Sequence, residues 1–110
     1  MKNLYSAFSA VKNEKAFYAF LADLCTPTEI REMSERWNIA QLLATTQMTQ
    51  KEISTKLNCA IVTVNRVARF LNDEKNAGYE TALRAIFPAG SINISRPGNR
   101  PGIKRKSKDK

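Results

Sequence analysis

The chain has 110 residues, 43% of them hydrophobic, and a formal charge of +8. That length suits one domain with a modest core; the apolar content excludes wholesale disorder, and no apolar run approaches the roughly 20 residues that span a bilayer. With two cysteines, Cys25 and Cys59, and no histidine, the sequence cannot furnish the set of about four Cys/His ligands of a zinc site, nor the commonest general base of enzymes.

The N-terminal stretch MKNLYSAFSAVKNEKAF has neither the continuous apolar segment nor the small-residue cleavage site of a signal peptide. A cytoplasmic location is expected. Leu4, Phe8 and Val11, then Phe17, Leu21 and Leu24, recur at helical spacing. The polar residues 12–15 read as a turn between two short helices, with Asn13 as N-cap of the second. The dense aromatics Phe8, Phe17, Tyr18 and Phe20 belong either to a core or to an oligomer interface, because a domain this short often completes its core with a partner.

Thr26-Pro27-Thr28-Glu29 is a helix start: Thr26 caps, Pro27 takes the first helical position and Glu29 closes a capping box. The helix carries Ile30, Met33, Trp37, Ile39, Ala40, Leu42 and Leu43, and is expected to end near residues 44–46, where two threonines weaken helix propensity. Thr49-Gln50-Lys51-Glu52 is a second capping box, opening a short helix with Ile53 and Leu57 on its buried face. Asn58 tolerates the left-handed conformation that ends many helices. A further helix begins near Ala60 and carries Ile61, Val64, Val67, Ala68 and Leu71 until Asn72-Asp73 breaks it. A last helix over about residues 75–87 buries Tyr79, Leu83 and Ile86.

From Pro88 the character changes. Pro88, Pro97 and Pro101, three of the four glycines and an absence of apolar periodicity predict a disordered basic tail over residues 88–110, after a helical domain of residues 1–87. Residues 1–90 carry 11 Lys/Arg against 9 Asp/Glu, a net of +2, whereas residues 91–110 carry 7 against 1, a net of +6. Most of the positive charge therefore belongs to the tail. Such a tail is either a solvated end or a nonspecific grip on DNA phosphates.

The segment TQKEISTKLNCAIVTVNRVARFL meets the requirements of a helix-turn-helix. Ile53 and Leu57 hold the first helix on the second, the small Ser54 sits at the crossing, Asn58 serves the turn, and Val64 and Val67 point inward. Residues 49–72 hold four bases (Lys51, Lys56, Arg66, Arg69) and one acid (Glu52). Val62 and Thr63 can offer methyls to thymine, Asn65 can hydrogen-bond a base edge, and Gln50 and Lys51 stand where a helix start meets phosphate.

The stretches FLADLCTPTEIREMSERWNIAQLL, MTQKEISTKLN and AIVTVNRVARFLN make residues 4–87 resemble the Trp repressor superfamily, more closely its YerC/YecD-type branch. The resemblance implies an all-α, six-helix fold and an intertwined homodimer whose recognition helices read a palindromic operator in double-stranded DNA, as a repressor. It implies DNA-contacting positions at Gln50, Lys51, Ile61, Val62, Thr63 and Asn65; Arg69, a basic residue of the same helix, is expected to contact DNA as well. It also implies that Arg36 and Arg66 stand where the family flanks its corepressor, L-tryptophan. Two departures weigh against that ligand: Val67 replaces a bare glycine and Phe70 a serine, and a branched side chain in a packed slot commonly costs about 1–3 kcal/mol. The alternative for the two arginines is pairing with acids such as Glu32 or Glu35, or with phosphate. The competing functional reading is an architectural, nonspecific nucleic-acid-binding protein driven by its basic tail. An enzyme is not expected.

Overall fold

Six helices in chain order account for the regular structure in a computed structural model that describes residues 1–73 and 75–94. They are α1 (Leu4–Ala10), α2 (Glu14–Leu24), α3 (Pro27–Thr45), α4 (Gln50–Leu57), α5 (Ile61–Asn72) and α6 (Gly78–Ile86). The described residues form no strand. The chain divides into two units, Met1–Ser34 and Glu35 onward, with the boundary inside α3.

In the first unit, short-range capping sets the helix starts. Asn3 Oδ1 accepts from the Ser6 amide at 2.9 Å, and Asn13 Oδ1 from the Ala16 amide at 2.7 Å. Thr26 and Glu29 form the expected reciprocal box, with bonds of 2.8 and 3.1 Å. Phe8 meets the rings of Phe17 and Phe20 at 5.5 and 5.8 Å between centroids. This cluster does not make an interior: neither α1 nor α2 has a buried residue, and Leu4, Tyr5, Tyr18, Leu24 and Met33 are exposed. A core role for this apolar stripe within one copy is therefore corrected. An open groove of about 350 Å³ runs past Tyr18, Cys25 and Ile30.

The second unit has the core. Ile39, Ala40, Leu43 and Ala44 of α3, Ile53 of α4, Val64, Val67, Ala68 and Leu71 of α5, and Leu83 of α6 are its buried members. All are aliphatic, and each fully buried Val, Leu or Ile among them contributes about 1.5–3 kcal/mol relative to exposure. The hydroxyls of Thr45 and Thr46 donate back to the carbonyls of Gln41 and Leu42, at 2.7 and 2.6 Å, where α3 ends. Both cysteines are half-buried.

Three expectations change. The last helix starts at Gly78, because Asp73 first organises a turn: its carboxylate accepts from the Lys75 amide (2.9 Å) and its carbonyl from the Asn76 amide (2.8 Å). Ile86, expected to be buried, is 64% exposed at the end of that helix. Residues 88–94, expected to begin the disordered tail, are placed instead. The Asn93 amide donates to the Ala44 carbonyl at 2.6 Å, and Ile92 and Ile94 pack against the core. The tail reading for residues 95–110 lies outside the described residues.

Candidate nucleic-acid interface

The two helices of the motif are α4 and α5, and three residues join them. At the start of α4 the Thr49 hydroxyl accepts from the Glu52 amide (3.1 Å) while Glu52 accepts from the Thr49 amide (2.9 Å). That box fixes the first turn, on which Lys51 is exposed and Gln50 half-buried.

At the other end, Asn58 takes φ 54 and ψ 51, the only positive φ at a non-glycine among the described residues. Asparagine adopts this region at lower cost than most residues because its short side chain bonds locally. The reversal is then tied by Ser54. Its carbonyl accepts from the Cys59 amide at 3.1 Å, and its hydroxyl donates to the Cys59 carbonyl at 2.7 Å. Sequence reasoning valued Ser54 only for being small. The hydroxyl is the functional part, because it satisfies a carbonyl at the turn that would otherwise need water. Burial pushes the pKa of the Cys59 thiol up, and the negative charge of Glu35 raises it further.

Helix α5 has two faces. Val64, Val67, Ala68 and Leu71 are buried, and Val64 and Val67 have no exposed surface. Ahead of them Val62 is 68% and Ile61 42% exposed. Asn65, Arg66 and Arg69 are exposed, and Thr63 is half-buried. The first turn of α5 carries no acid, and its N-cap, Ala60, makes no side-chain cap bond. This turn is therefore free of the negative charge that would repel a phosphate, and the helix dipole there favours anions.

The two arginines of α5 converge on one ring. The guanidinium of Arg66 lies 4.8 Å from the centroid of Phe70, and that of Arg69 5.8 Å from the same ring. Such contacts contribute about 0.5–1 kcal/mol at exposed positions. Phe70 thus occupies one of the arginines that the resemblance connects with a ligand. Arg66 and Phe70 also border an open groove of about 590 Å³ that continues along residues 75–79. The half-buried Arg36 is not among its lining residues. Val67 is fully buried, part of the interior and not the wall of a slot.

The sequence-predicted positions on α4 and α5 are thus gathered on consecutive elements of one unit. No group of three His, Cys, Asp or Glu side chains suited to a metal occurs among the described residues, and no helix there is long and apolar enough to cross a membrane.

The sequence model of the Trp repressor protein family matches residues 1–86. A curated relative from Bacillus subtilis (strain 168), the uncharacterized protein YerC, is 32% identical over 86 residues, which covers 78% of this chain and 81% of that protein. No solved structure matches the chain.

Proposed function

The chain belongs to the Trp repressor family of DNA-binding transcriptional regulators, and from that premise we propose that it is a repressor that binds a palindromic operator as a homodimer. In this reading α5 enters the major groove. Ile61, Val62, Thr63 and Asn65 face the base edges, while Gln50, Lys51 and Arg69 contact phosphates. The observation that carries it is the division of α5 into an aliphatic rear with no exposed surface at Val64 and Val67 and an exposed leading turn at Ile61 and Val62. A helix held rigidly from behind and bare in front is what groove docking requires.

The homodimer draws on the first unit. Its apolar side chains find no interior in one copy, and a second copy is a partner of matching chemistry. For L-tryptophan as corepressor, the burial of Val67 and the stacking of Arg66 on Phe70 weigh against the family's mode of binding.

Selection of binding sites from random duplexes by the full chain tests the proposal. The expected result is a palindrome whose half-site centres lie one helical turn apart, about 34 Å, and whose binding survives excess random DNA. Complete loss to random competitor would reject the repressor reading in favour of nonspecific coating. Deleting residues 95–110, which keeps the packed Ile92 and Ile94, should then lower affinity and flatten the salt dependence without altering the selected sequence.

A further inference from the structure

We infer that the leading turn of α5 recognises thymine by its C5 methyl group, with Val62 and Ile61 as the specificity-determining side chains. The inference rests on the DNA-reading role proposed above and specifies what that role reads.

In the major groove guanine is distinguished by two acceptors, cytosine and adenine by amino donors, and thymine by a methyl beside its O4 acceptor. The first two classes call for hydrogen-bonding side chains. The turn that leads α5 begins instead with Ile61 and Val62, whose side chains carry no polar atom, and Thr63 beside them is half-buried. The charged side chains of α5, Arg66 and Arg69, follow the leading turn and are not part of it. Arg66 and Arg69 lie against Phe70, at 4.8 and 5.8 Å from its centroid, behind the leading turn.

Exposure of Val62 also has no account within the fold. At 68% exposed it adds little to the core, and a β-branched residue is a weaker helix former than alanine. What it offers is rigidity. In a helix, Val and Ile occupy one χ1 rotamer about 90% of the time, so their methyls are presented with little entropy left to lose. A fixed apolar knob in the major groove gains from contact with a methyl. Against any other base edge it desolvates polar atoms without pairing them.

The test uses the selected duplex and the full chain. Each thymine is replaced singly by deoxyuridine, which removes the methyl alone, and affinity is measured for the unaltered chain and for Val62→Ala and Ile61→Ala. The expected result is about a fourfold loss at one or more thymines of each half-site, the size of one buried methyl. At the thymine facing the truncated residue, the loss should shrink to less than about twofold in the corresponding variant, the methyl having lost its partner. Both residues are exposed, so the variants keep the fold. A uridine scan with no effect, the same uridine penalty in both variants, or half-sites without thymine overturns the inference while leaving sequence-specific binding intact. Failure to select any sequence overturns the DNA-reading role itself, and this inference with it.

Discussion

Residues 1–34 and the chain from Glu35 onward are written in the same idiom, amphipathic helices with capped starts, yet they differ in what their apolar faces meet. Ten aliphatic side chains of the second unit are buried. In the first, α1 and α2 bury none, and Tyr5 and Tyr18 are 76% and 75% exposed. Ordering a backbone costs about 1–2 kcal/mol per residue, and ring contacts around Phe8 return only a fraction of that. Helical periodicity therefore says which face is apolar, not where its partner comes from. The second unit finds that partner in its own chain. Under the homodimer reading, the first finds it in another copy.

The comparison breaks or holds most visibly on truncating one side chain in each unit. Ile53 has no exposed surface, and Ile53→Ala should cost about 2–5 kcal/mol in urea denaturation. Phe8→Ala would forfeit two ring contacts within one copy, each about 0.5–1.5 kcal/mol. If a second copy covers that face, the loss exceeds these contacts, and the thermal midpoint of the unaltered chain rises with protein concentration. A midpoint independent of concentration, with a Phe8→Ala loss no larger than its ring contacts, would leave the first unit uncovered and remove the support for a dimer.

Next in size are the caps, where equal chemistry acts in unequal surroundings. Asn13 accepts from the Ala16 amide in the first unit, and Thr49 from the Glu52 amide in the second. Replacing either by alanine removes about 1 kcal/mol of helix stability. For Thr49→Ala the loss should appear in global unfolding, because α4 is bound to the core through Ile53. For Asn13→Ala it should appear as faster amide exchange confined to α2 at low protein concentration, where local opening is uncoupled from the core. Equal global losses would mean that the two units unfold as one.

What could be read from the sequence was short in range. The boxes at Thr26 and Thr49, the cap at Asn13 and the reversal at Asn58 each depend on side chains within a few residues of the backbone they serve, and all occur where the pattern puts them. The motif positions on α4 and α5 were legible for the same reason: a helix period fixes which side chains share a face. Contacts that cross the chain were not legible. The bond from Asn93 to Ala44 and the packing of Ile92 and Ile94 come from a Pro/Gly-bounded stretch without periodicity. The late start of α6 depends on Asp73 competing for the amide of Lys75, a local bond that apolar spacing does not register. The meeting of Arg66 and Arg69 on Phe70 needed three-dimensional geometry, because spacing alone shows neighbours but not which of several partners a long cation takes.

The smallest expected effect is that of Asn58→Gly, and it sharpens the comparison at the level of the backbone. In the first unit α1 and α2 end in extended residues, Val11 and Cys25, which any side chain can adopt. In the second, α4 ends at φ 54, in the left-handed residue that begins the three-residue turn into α5. Glycine takes this region without a Cβ penalty but loses more freedom on folding, so the two terms of Asn58→Gly oppose each other. The net change in stability should stay within about 0.5 kcal/mol, with operator affinity retained. Asn58→Val has no such offset. A β-branched side chain in the left-handed region costs upwards of about 1–2 kcal/mol, and relief of that strain would rotate α5 away from the bonds that Ser54 makes to Cys59. Measured together by thermal melting and operator titration, the pair separates conformation from contact. Tight binding by Asn58→Gly with weak binding by Asn58→Val assigns the turn to backbone geometry, whereas equal loss in both assigns the role to the asparagine side chain.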